Sequence, residues 1–419
     1  MKYYVIAGEA SGDLHGSNLI KEIKKLDTAA DFRGWGGDKM EAAGVTLVKH
    51  YRDLAFMGFV EVVKHLPTIL KNIESCKKDI LVYKPDAIIL IDYPGVNLRM
   101  AKWAKQQGLK VIFYISPQVW AWKENRVKKM KQTIDKMLVI LPFEKEYFKN
   151  KWNWDVEYVG HPLVEVIEGY SKMHQSAGSA IAIPRADNSR LSKGYIAPES
   201  PSGDSAETLE KNHLQPETLS ARGMAIADPA PGGIVALLPG SRKQEIIKKL
   251  PVMLEVSKAF PSYQFIVAKA PGLDENFYDT LLKEYSNVSY VANKTYDLLL
   301  QARAALVTSG TATLETALFG VPEVVCYKGS NISYQIAKRV IKIKYISLVN
   351  LIMDKEVVKE LIQDEMTTGN LTTELNKLLN DTDKQEQLRA DYAALKKLLS
   401  QGGNASANAA KSIVGFLHS

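Results

Sequence analysis

The sequence predicts an α/β protein with two doubly wound parallel sheets, one in each half of the chain. In both halves, short apolar runs alternate with amphipathic segments, which is the pattern of buried strands separated by helices. In the first half, strands are predicted at Tyr3–Ala7, Ala87–Ile91, Val111–Ile115, Met137–Ile140 and Val156–Val159. In the second half, they are predicted at Ile234–Leu238, Phe265–Ala268, Val288–Val291, Ala304–Val307 and Glu323–Cys326.

A change of composition divides the chain into four parts. Residues 1–169 form the first Rossmann-like domain and residues 234–344 the second. Between them, residues 170–233 are rich in Ser, Ala, Pro and Gly and poor in large apolar side chains, so a mostly disordered linker is expected. From residue 345 to residue 419 helical patterns replace strands, which predicts a helical C-terminal segment.

Composition limits the classes of partner and compartment. The net charge of +7 is modest for 419 residues, so it permits an anionic surface as partner and gives no reason to expect nucleic acid. The cysteines, Cys76 and Cys326, fit neither a metal motif nor a disulfide framework, which favours a reducing cytoplasm. The N-terminal apolar run is too short for a signal peptide, and no run is long enough to span a bilayer. Any membrane contact would then be peripheral.

The most informative segment follows the strand Ile234–Leu238. Pro239 and Gly240 end the strand, and Ser241 with Gln244 makes a capping-box pattern at the start of a helix. Arg242 would then lie in the first helical turn, where backbone N–H groups and a guanidinium together favour a phosphate. The alternative is an ordinary turn with a surface arginine.

A second turn of the same kind follows the strand Ala304–Val307. Small and hydroxyl side chains allow a ligand close to the backbone, and Glu315 lies about one turn into the next helix. The residues of this loop are Ser309, Gly310, Thr311, Ala312 and Thr313. Two such turns at strand ends in one half of the chain predict a nucleotide site.

The first half carries carboxylates at the corresponding positions. Glu9, Ser11, Gly12 and Asp13 follow the first strand without any Lys or Arg, so sugar hydroxyls suit this loop better than phosphate. Asp13 could instead simply cap the helix that this loop opens.

Asp92 ends the strand Ala87–Ile91 and precedes a Pro-Gly turn and Asn97, and we expect Asn97 to lie on the acceptor side of the cleft. A carboxylate there faces the cleft of an open sheet and can act as a general base, or it can cap its own loop.

Two further segments leave alternatives open. Gln118, Trp120 and Trp122 precede a basic stretch and could line a sugar or lipid-phosphate site, or the tryptophans could be core. His161 is expected at a hinge.

The stretch 55–67 is unusually apolar, which fits either core or a patch that enters a membrane interface. The residues of that apolar patch are Met57, Phe59, Val60, Val62, Val63 and Leu66.

An ordered set of motifs resembles the lipid-A-disaccharide synthase family. These motifs are Gly-Glu-Ala-Ser-Gly-Asp (8–13), Asp-Tyr-Pro-Gly-Val-Asn (92–97), Ser-Pro-Gln-Val-Trp-Ala-Trp (116–122), Val-Gly-His-Pro-Leu (159–163), Leu-Pro-Gly-Ser-Arg (238–242), Ser-Gly-Thr-Ala-Thr-Leu-Glu (309–315) and Tyr-Ile-Ser-Leu-Val-Asn-Leu-Ile (345–352). They cover nearly the whole chain apart from 170–233, where the bridge is longer than in the familiar family pattern.

The resemblance implies an inverting glycosyltransferase of the GT-B type that uses neither metal nor other cofactor. Its substrates would be UDP-2,3-diacylglucosamine and 2,3-diacylglucosamine 1-phosphate (lipid X), and its products a β-1,6-linked lipid A disaccharide 1-phosphate and UDP. The enzyme would work at the cytoplasmic face of the inner membrane, and family members can form homodimers that exchange C-terminal segments.

The resemblance also implies roles for residues. Asp92 matches the base, with Glu9 or Asp13 as alternatives. Arg242 and residues 309–315 match the nucleotide site, with Glu315 a ribose ligand by analogy with other GT-B enzymes. The first domain would hold the acceptor. A sugar-nucleotide epimerase of the same architecture and a non-catalytic UDP-sugar binding protein are the alternatives to this function.

Overall fold

A computed structural model describes residues 1–54, 66–176, 231–270, 273–329, 334 and 343–419. It contains a seven-stranded and a six-stranded sheet, one in each half of the chain, and all strand pairs are parallel. Helices connect the strands, as parallel pairing requires. The predicted fold class is therefore confirmed.

The first sheet has the strand order β3-β2-β1-β4-β5-β6-β7. Its strands are β1 (Lys2–Ala7), β2 (Asp31–Gly36), β3 (Val45–His50), β4 (Ala87–Ile91), β5 (Lys110–Tyr114), β6 (Lys136–Val139) and β7 (Glu157–Tyr158). The helices of this half are α1 (Ala10–Leu26), α2 (Asp38–Ala42), α3 (Leu66–Tyr83), α4 (Pro94–Gln106), α5 (Val127–Thr133), α6 (Pro142–Trp152) and α7 (Pro162–Ser176).

The second sheet has the order β10-β9-β8-β11-β12-β13. Its strands are β8 (Ile234–Leu238), β9 (Gln264–Lys269), β10 (Val288–Ala292), β11 (Ala302–Thr308), β12 (Glu323–Tyr327) and β13 (Lys359–Ile362). The helices are α8 (Lys243–Ser257), α9 (Glu275–Leu282), α10 (Thr295–Gln301), α11 (Thr311–Leu318), α12 (Leu348–Met353), α13 (Thr368–Asn380), α14 (Thr382–Ser400) and α15 (Ala405–His418).

The strands β2 and β3 were not predicted from the sequence. In β2, glycines and an arginine interrupt the apolar run, although the structure requires one of these glycines. Gly34 pairs with Val5 of β1 and has a φ of +156°, and a Cβ there would lie 1.9 Å from the Val5 carbonyl oxygen. Close approach of two backbones therefore selects glycine where the sequence pattern indicates a loop.

Two predicted boundaries are wrong. Residues 345–419 are not purely helical, because β13 pairs with β12 and completes the second sheet. Residues 170–176, which were predicted to begin the linker, belong to α7. Of the remaining predicted linker, residues 177–230 lie outside the described residues. The four-part division as a whole stays a prediction.

The chain crosses between the two halves through α7 and α15. The apolar side chains of Leu163 and Ile167 on α7 belong to the core of the second half. In the opposite direction, Ala409 and Ile413 on α15 join the core beneath the first sheet, and the Ser412 hydroxyl donates to the Glu157 carboxylate at 2.6 Å. The last helix thus packs on the first domain of its own chain, and a homodimer with exchanged tails stays a prediction.

Most of the apolar patch predicted in the first half lies outside the described residues. Met57, Phe59, Val60, Val62 and Val63 lie outside the described residues, and Leu66 begins α3 with its side chain undescribed. No helix within the described ranges is both long enough and apolar enough to cross a bilayer.

We expect Gly34→Ala to lower the free energy of unfolding by about 3 kcal/mol, because the new Cβ collides with the backbone of β1. Urea denaturation measures this loss. Gly369→Ala is the matched control: an added Cβ meets nothing within 4 Å near the start of α13, so stability should stay the same or rise by up to about 1 kcal/mol. Equal midpoints for the two variants would contradict the close approach of β1 and β2.

Candidate active site

The loops predicted to carry chemistry follow the strands at the centre of each sheet. In the first sheet β1 and β4 are neighbours, and in the second β8 and β11 are neighbours. At these pairs the strand order changes direction, so the loops that leave the carboxyl ends separate and open a crevice. Both nucleotide turns and both acidic loops therefore lie at switch points.

A cavity of about 260 Å³ lies between the two halves of the molecule. Most of its lining comes from the first half, and Thr311 and Leu348 contribute from the second. Of the predicted site residues, the cavity brings together Ser11, Gly12, Asp92, Gln118 and Thr311. It also contains Trp122 and His161, which the sequence singled out, and it adds His15, Ser116 and Glu144.

Asp92 lies in a strained turn at the wall of this cavity. Asp92 and Tyr93 both have positive φ angles, +43° and +49°, a conformation that residues other than glycine rarely adopt. The Tyr93 ring covers Gly8, where a Cβ would lie 2.4 Å from the ring. Burial, and then the charge of Glu9, raise the pKa of Asp92 to about 7, although the Tyr93 backbone N–H opposes the shift. Asp92 is thus a carboxyl poised to exchange a proton near neutral pH.

Asn97 supports this turn and does not line the cleft as predicted. Its side chain is fully buried. The amide nitrogen donates to the carbonyl oxygens of Ile6 at 3.3 Å, Ile91 at 3.2 Å and Asp92 at 2.7 Å. Asn97 therefore holds the ends of β1 and β4 and fixes the backbone from which the Asp92 side chain projects.

Asp13 also has a structural role instead of the predicted place in the cleft. Its buried carboxylate accepts hydrogen bonds from the backbone N–H groups of Gly37 at 2.8 Å, Lys39 at 3.2 Å and Met40 at 2.9 Å. These groups form the start of α2, so Asp13 caps a neighbouring helix. The capping alternative is correct in kind, although the helix is not α1.

Glu9 and Arg242 interact electrostatically across the cleft. Burial raises the pKa of Glu9, and the positive charge of Arg242 acts against this rise. The Arg242 side chain is exposed and its Nη1 lies 3.2 Å from Glu245 Oε1. The acidic loop of one half therefore lies within electrostatic range of the predicted phosphate ligand of the other.

The turn before α8 differs in detail from the predicted capping box. Helix α8 begins at Lys243, its N-cap is Arg242, and no side chain caps it. Gly240 has a φ of +117°, which lengthens the turn so that Ser241 precedes the N-cap. Arg242 is thus next to the helix start and not inside the first turn, and the positive end of the helix still faces the same place.

The loop after β11 contributes one side chain to the cavity and uses others internally. Gly310, with a φ of +143°, is the N-cap of α11, and Thr311 lines the cavity. The Ser309 hydroxyl donates to the Ile346 carbonyl at 2.9 Å, and the buried Thr313 hydroxyl donates to the Gly310 carbonyl at 2.8 Å. Ala312 is partly buried in the first turn of α11.

Glu315 is close to this loop but already has a partner. Its Oε1 accepts a hydrogen bond from the Tyr296 hydroxyl at 2.9 Å. Burial raises the pKa of Glu315, and the hydrogen bond from Tyr296 counteracts part of the rise. A ribose ligand at Glu315 would share the carboxyl with Tyr296.

Sequence reasoning did not identify Glu144 as part of the site. It is fully buried, and its carboxylate accepts from the Leu141 backbone N–H at 3.1 Å and from the Trp120 indole at 3.2 Å. Burial is the main reason that its pKa rises to about 8. Glu144 thereby fixes the Ser116–Trp122 loop, and only the Leu-Pro-x-Glu capping pattern could have indicated it.

Two histidines complete the wall of the cavity. Burial lowers the pKa of His15 to about 4, and burial together with the neighbouring His15 lowers that of His161 to about 3. Both imidazoles are neutral at physiological pH and offer hydrogen bonds without charge. His161 directly precedes α7, and its role at a hinge stays a prediction.

The two tryptophans of the Ser116–Trp122 loop have different roles. Trp120 packs edge-on against Phe143 and is therefore a core residue. Trp122 is exposed at the cavity, with Lys123 Nζ 4.0 Å and the Arg126 guanidinium 5.8 Å from its ring centre.

Over the described ranges, no cluster of three His, Cys, Asp or Glu side chains could hold a metal ion.

Solved structures with this architecture share little sequence with the chain. A UDP-GlcNAc 2-epimerase from Neisseria meningitidis, solved with UDP-GlcNAc, matches with a TM-score of 0.56 and 14% identity, and covers 100% of each chain. A calicheamicin glycosyltransferase matches with a TM-score of 0.55 and 12% identity, over 100% of this chain and 98% of the other. These likenesses show a GT-B fold.

Relatives found by sequence comparison share more of their residues with this chain than these solved structures do. The lipid-A-disaccharide synthase of Geobacter metallireducens is 38% identical over 95% of this chain and 93% of its own length. The lipid-A-disaccharide synthase of Syntrophus aciditrophicus is 36% identical over 96% of this chain and 94% of its own length. The family model for lipid-A-disaccharide synthetase matches residues 3–191 and 209–414. The chain therefore belongs to the lipid-A-disaccharide synthetase family, the glycosyltransferases that form the disaccharide of lipid A.

Proposed function

We propose that the cleft performs one inverting displacement with Asp92 as the general base. The 6-hydroxyl oxygen of lipid X attacks C1 of the sugar in UDP-2,3-diacylglucosamine. As the new C–O bond forms, the hydroxyl proton passes to Asp92 and the C1–O bond to the diphosphate breaks, releasing UDP. The observation that carries this proposal is a buried carboxyl of raised pKa in the cavity between the two halves.

The environment of Asp92 suits a base of this kind. A pKa of about 7 makes the carboxylate a better proton acceptor than an ordinary aspartate and leaves much of it ionised at neutral pH. Asn97 and Glu144 hold the loops on either side. Glu9, Ser11, Gly12 and Gln118 then provide polar groups for the acceptor sugar. Asp13 is committed to α2 and is not available as an alternative base.

The second half supports the leaving group. Arg242 and the turn at Gly240 and Ser241 precede α8, and Gly310, Thr311 and Ala312 begin α11. Two helix starts and a guanidinium give positive potential for a diphosphate that gains charge as the bond breaks. Glu315 is assigned to the ribose.

The acyl chains require an apolar surface, which we assign to residues 57–66 and to the area around Trp122. The exposed Trp122 ring with Lys123 and Arg126 combines an aromatic surface with positive charge. That combination suits an interface with anionic lipids. The protein would act as a peripheral enzyme on the cytoplasmic face of the inner membrane.

Incubation with UDP-2,3-diacylglucosamine and lipid X should yield the disaccharide 1-phosphate and UDP. Asp92→Asn keeps the shape of the side chain and removes the base, so we expect the turnover rate to fall by about 100- to 10,000-fold.

Arg242→Ala should lower the turnover rate by about 100-fold or more, because the charge that develops on the leaving diphosphate is no longer stabilised. An Asp92→Asn enzyme with an unchanged melting curve and near-normal turnover would contradict the assignment of the base.

The pH dependence of kcat/KM tests the same carboxyl. Asp92 accepts a proton only when ionised, so kcat/KM should fall about tenfold per pH unit below a pKa of about 7. Glu9→Gln removes a negative charge that raises this pKa, so the acid limb should move to lower pH whatever the height of the plateau. A limb that stays in place after this substitution would show that it belongs to another group.

Sedimentation with vesicles containing anionic lipid tests the membrane proposal. Replacing Phe59, Val62 and Val63 by serine should reduce the bound fraction several-fold, because binding scales with buried apolar area. Replacing the exposed apolar residues Leu81 and Val82, at the other end of α3, is the control. If the variant at Phe59, Val62 and Val63 and the control variant at Leu81 and Val82 both bind the vesicles as the parent protein does, the patch belongs to the core.

A further inference from the structure

Lys249 is a charged side chain in the interior of the second half. It lies on α8, two turns after the predicted phosphate turn, and only 3% of its surface is exposed. Its ammonium group donates a hydrogen bond to the hydroxyl of Thr308 and lies 3.7 Å from Glu245 Oε2. Burial lowers the pKa of Lys249, and the charge of Glu245 acts in the opposite direction.

The position of this ammonium connects the two nucleotide loops. Thr308 is the last residue of β11 and directly precedes the 309–315 loop. On the other side, a Cβ on Gly240 would lie 3.5 Å from Lys249 Nζ and 2.6 Å from Glu245 Oε2. Lys249 therefore lies directly behind the Pro-Gly turn, at the switch point between β8 and β11.

Glu245 is shared between two cations. Its Oε1 lies 3.2 Å from Arg242 Nη1, and its Oε2 faces Lys249. A diphosphate that binds Arg242 competes with this carboxylate for the guanidinium. Once the diphosphate binds Arg242, Glu245 needs a second cation beside it. Without one, the negative charge of Glu245 would repel the diphosphate.

We propose that Lys249 is a positioning residue that neutralises Glu245 while a diphosphate occupies Arg242. It also donates to Thr308, the residue that directly precedes the 309–315 loop. This inference rests on the proposed function, since it assumes that the anion is the diphosphate of a uridine nucleotide. A buried ammonium costs desolvation free energy, and an apolar side chain would fill the same space at lower cost. Anion binding supplies a reason for the charge.

The test is calorimetric titration with UDP and with uridine, which has no phosphate. We expect Lys249→Met to raise the Kd for UDP by about tenfold or more and to leave uridine binding unchanged. Lys249→Gln removes the charge and retains a donor for Thr308, so it should also weaken UDP binding and serves if the methionine variant does not fold. Lys248→Met is the matched control, because it removes the same charge from the exposed neighbouring position of α8, and it should bind like the parent.

The double variant Lys249→Met with Glu245→Gln separates a charge effect from a packing effect. If Lys249 acts by neutralising Glu245, removing both charges should restore most of the lost UDP affinity, and the melting temperature of Lys249→Met should not fall. Equal loss for UDP and uridine, no rescue in the double variant, or unchanged UDP binding in Lys249→Met would overturn this inference alone. A parent protein that binds no UDP would overturn the proposed function together with it.

Discussion

The side-chain amide of Asn97 is the interaction on which the first half of the site depends. A single nitrogen donates to carbonyl groups at the ends of β1 and β4 and in the Asp92 turn. The loops that follow β1 and β4 separate at this point, and buried carbonyl groups require a hydrogen-bond donor. Asn97 satisfies these groups and simultaneously stabilises two consecutive residues with positive φ. The geometry of the proposed general base, Asp92, therefore follows from a backbone requirement of the switch point.

Much of the fold could be predicted from the sequence because strands buried on both faces appear as continuous apolar runs. That rule identified β1, β4 and β8 with nearly their observed bounds. It failed for β2, where Gly34 is required by contact with β1, and for β13, where charged residues at the sheet edge interrupt the run. Both failures come from tertiary contacts that no local pattern contains.

The site was predictable to the level of loops and not to the level of side chains. Loops at strand ends could be located, since the switch-point rule requires only the order of the elements. The direction of a carboxylate depends on partners far along the chain, however. Asp13 turns to the start of α2, and Glu144 turns to Trp120. The buried Lys249 lies on a helix face that the apolar periodicity assigns to the core.

Under the proposed function, the distribution of charge between the halves would orient the two substrates. Glu9 and Asp92 place carboxyl groups on the first half, whereas Arg242 and the starts of α8 and α11 place positive charge on the second. A diphosphate is repelled by the first surface and attracted by the second. An acceptor hydroxyl would have the opposite preference, since in the proposed mechanism the Asp92 carboxylate takes its proton. The crossings through α7 and α15 hold the two halves together, so in the proposed mechanism the attacking oxygen and the leaving group would approach from different domains. That arrangement suits an in-line displacement with inversion, because nucleophile and leaving group occupy opposite faces of C1.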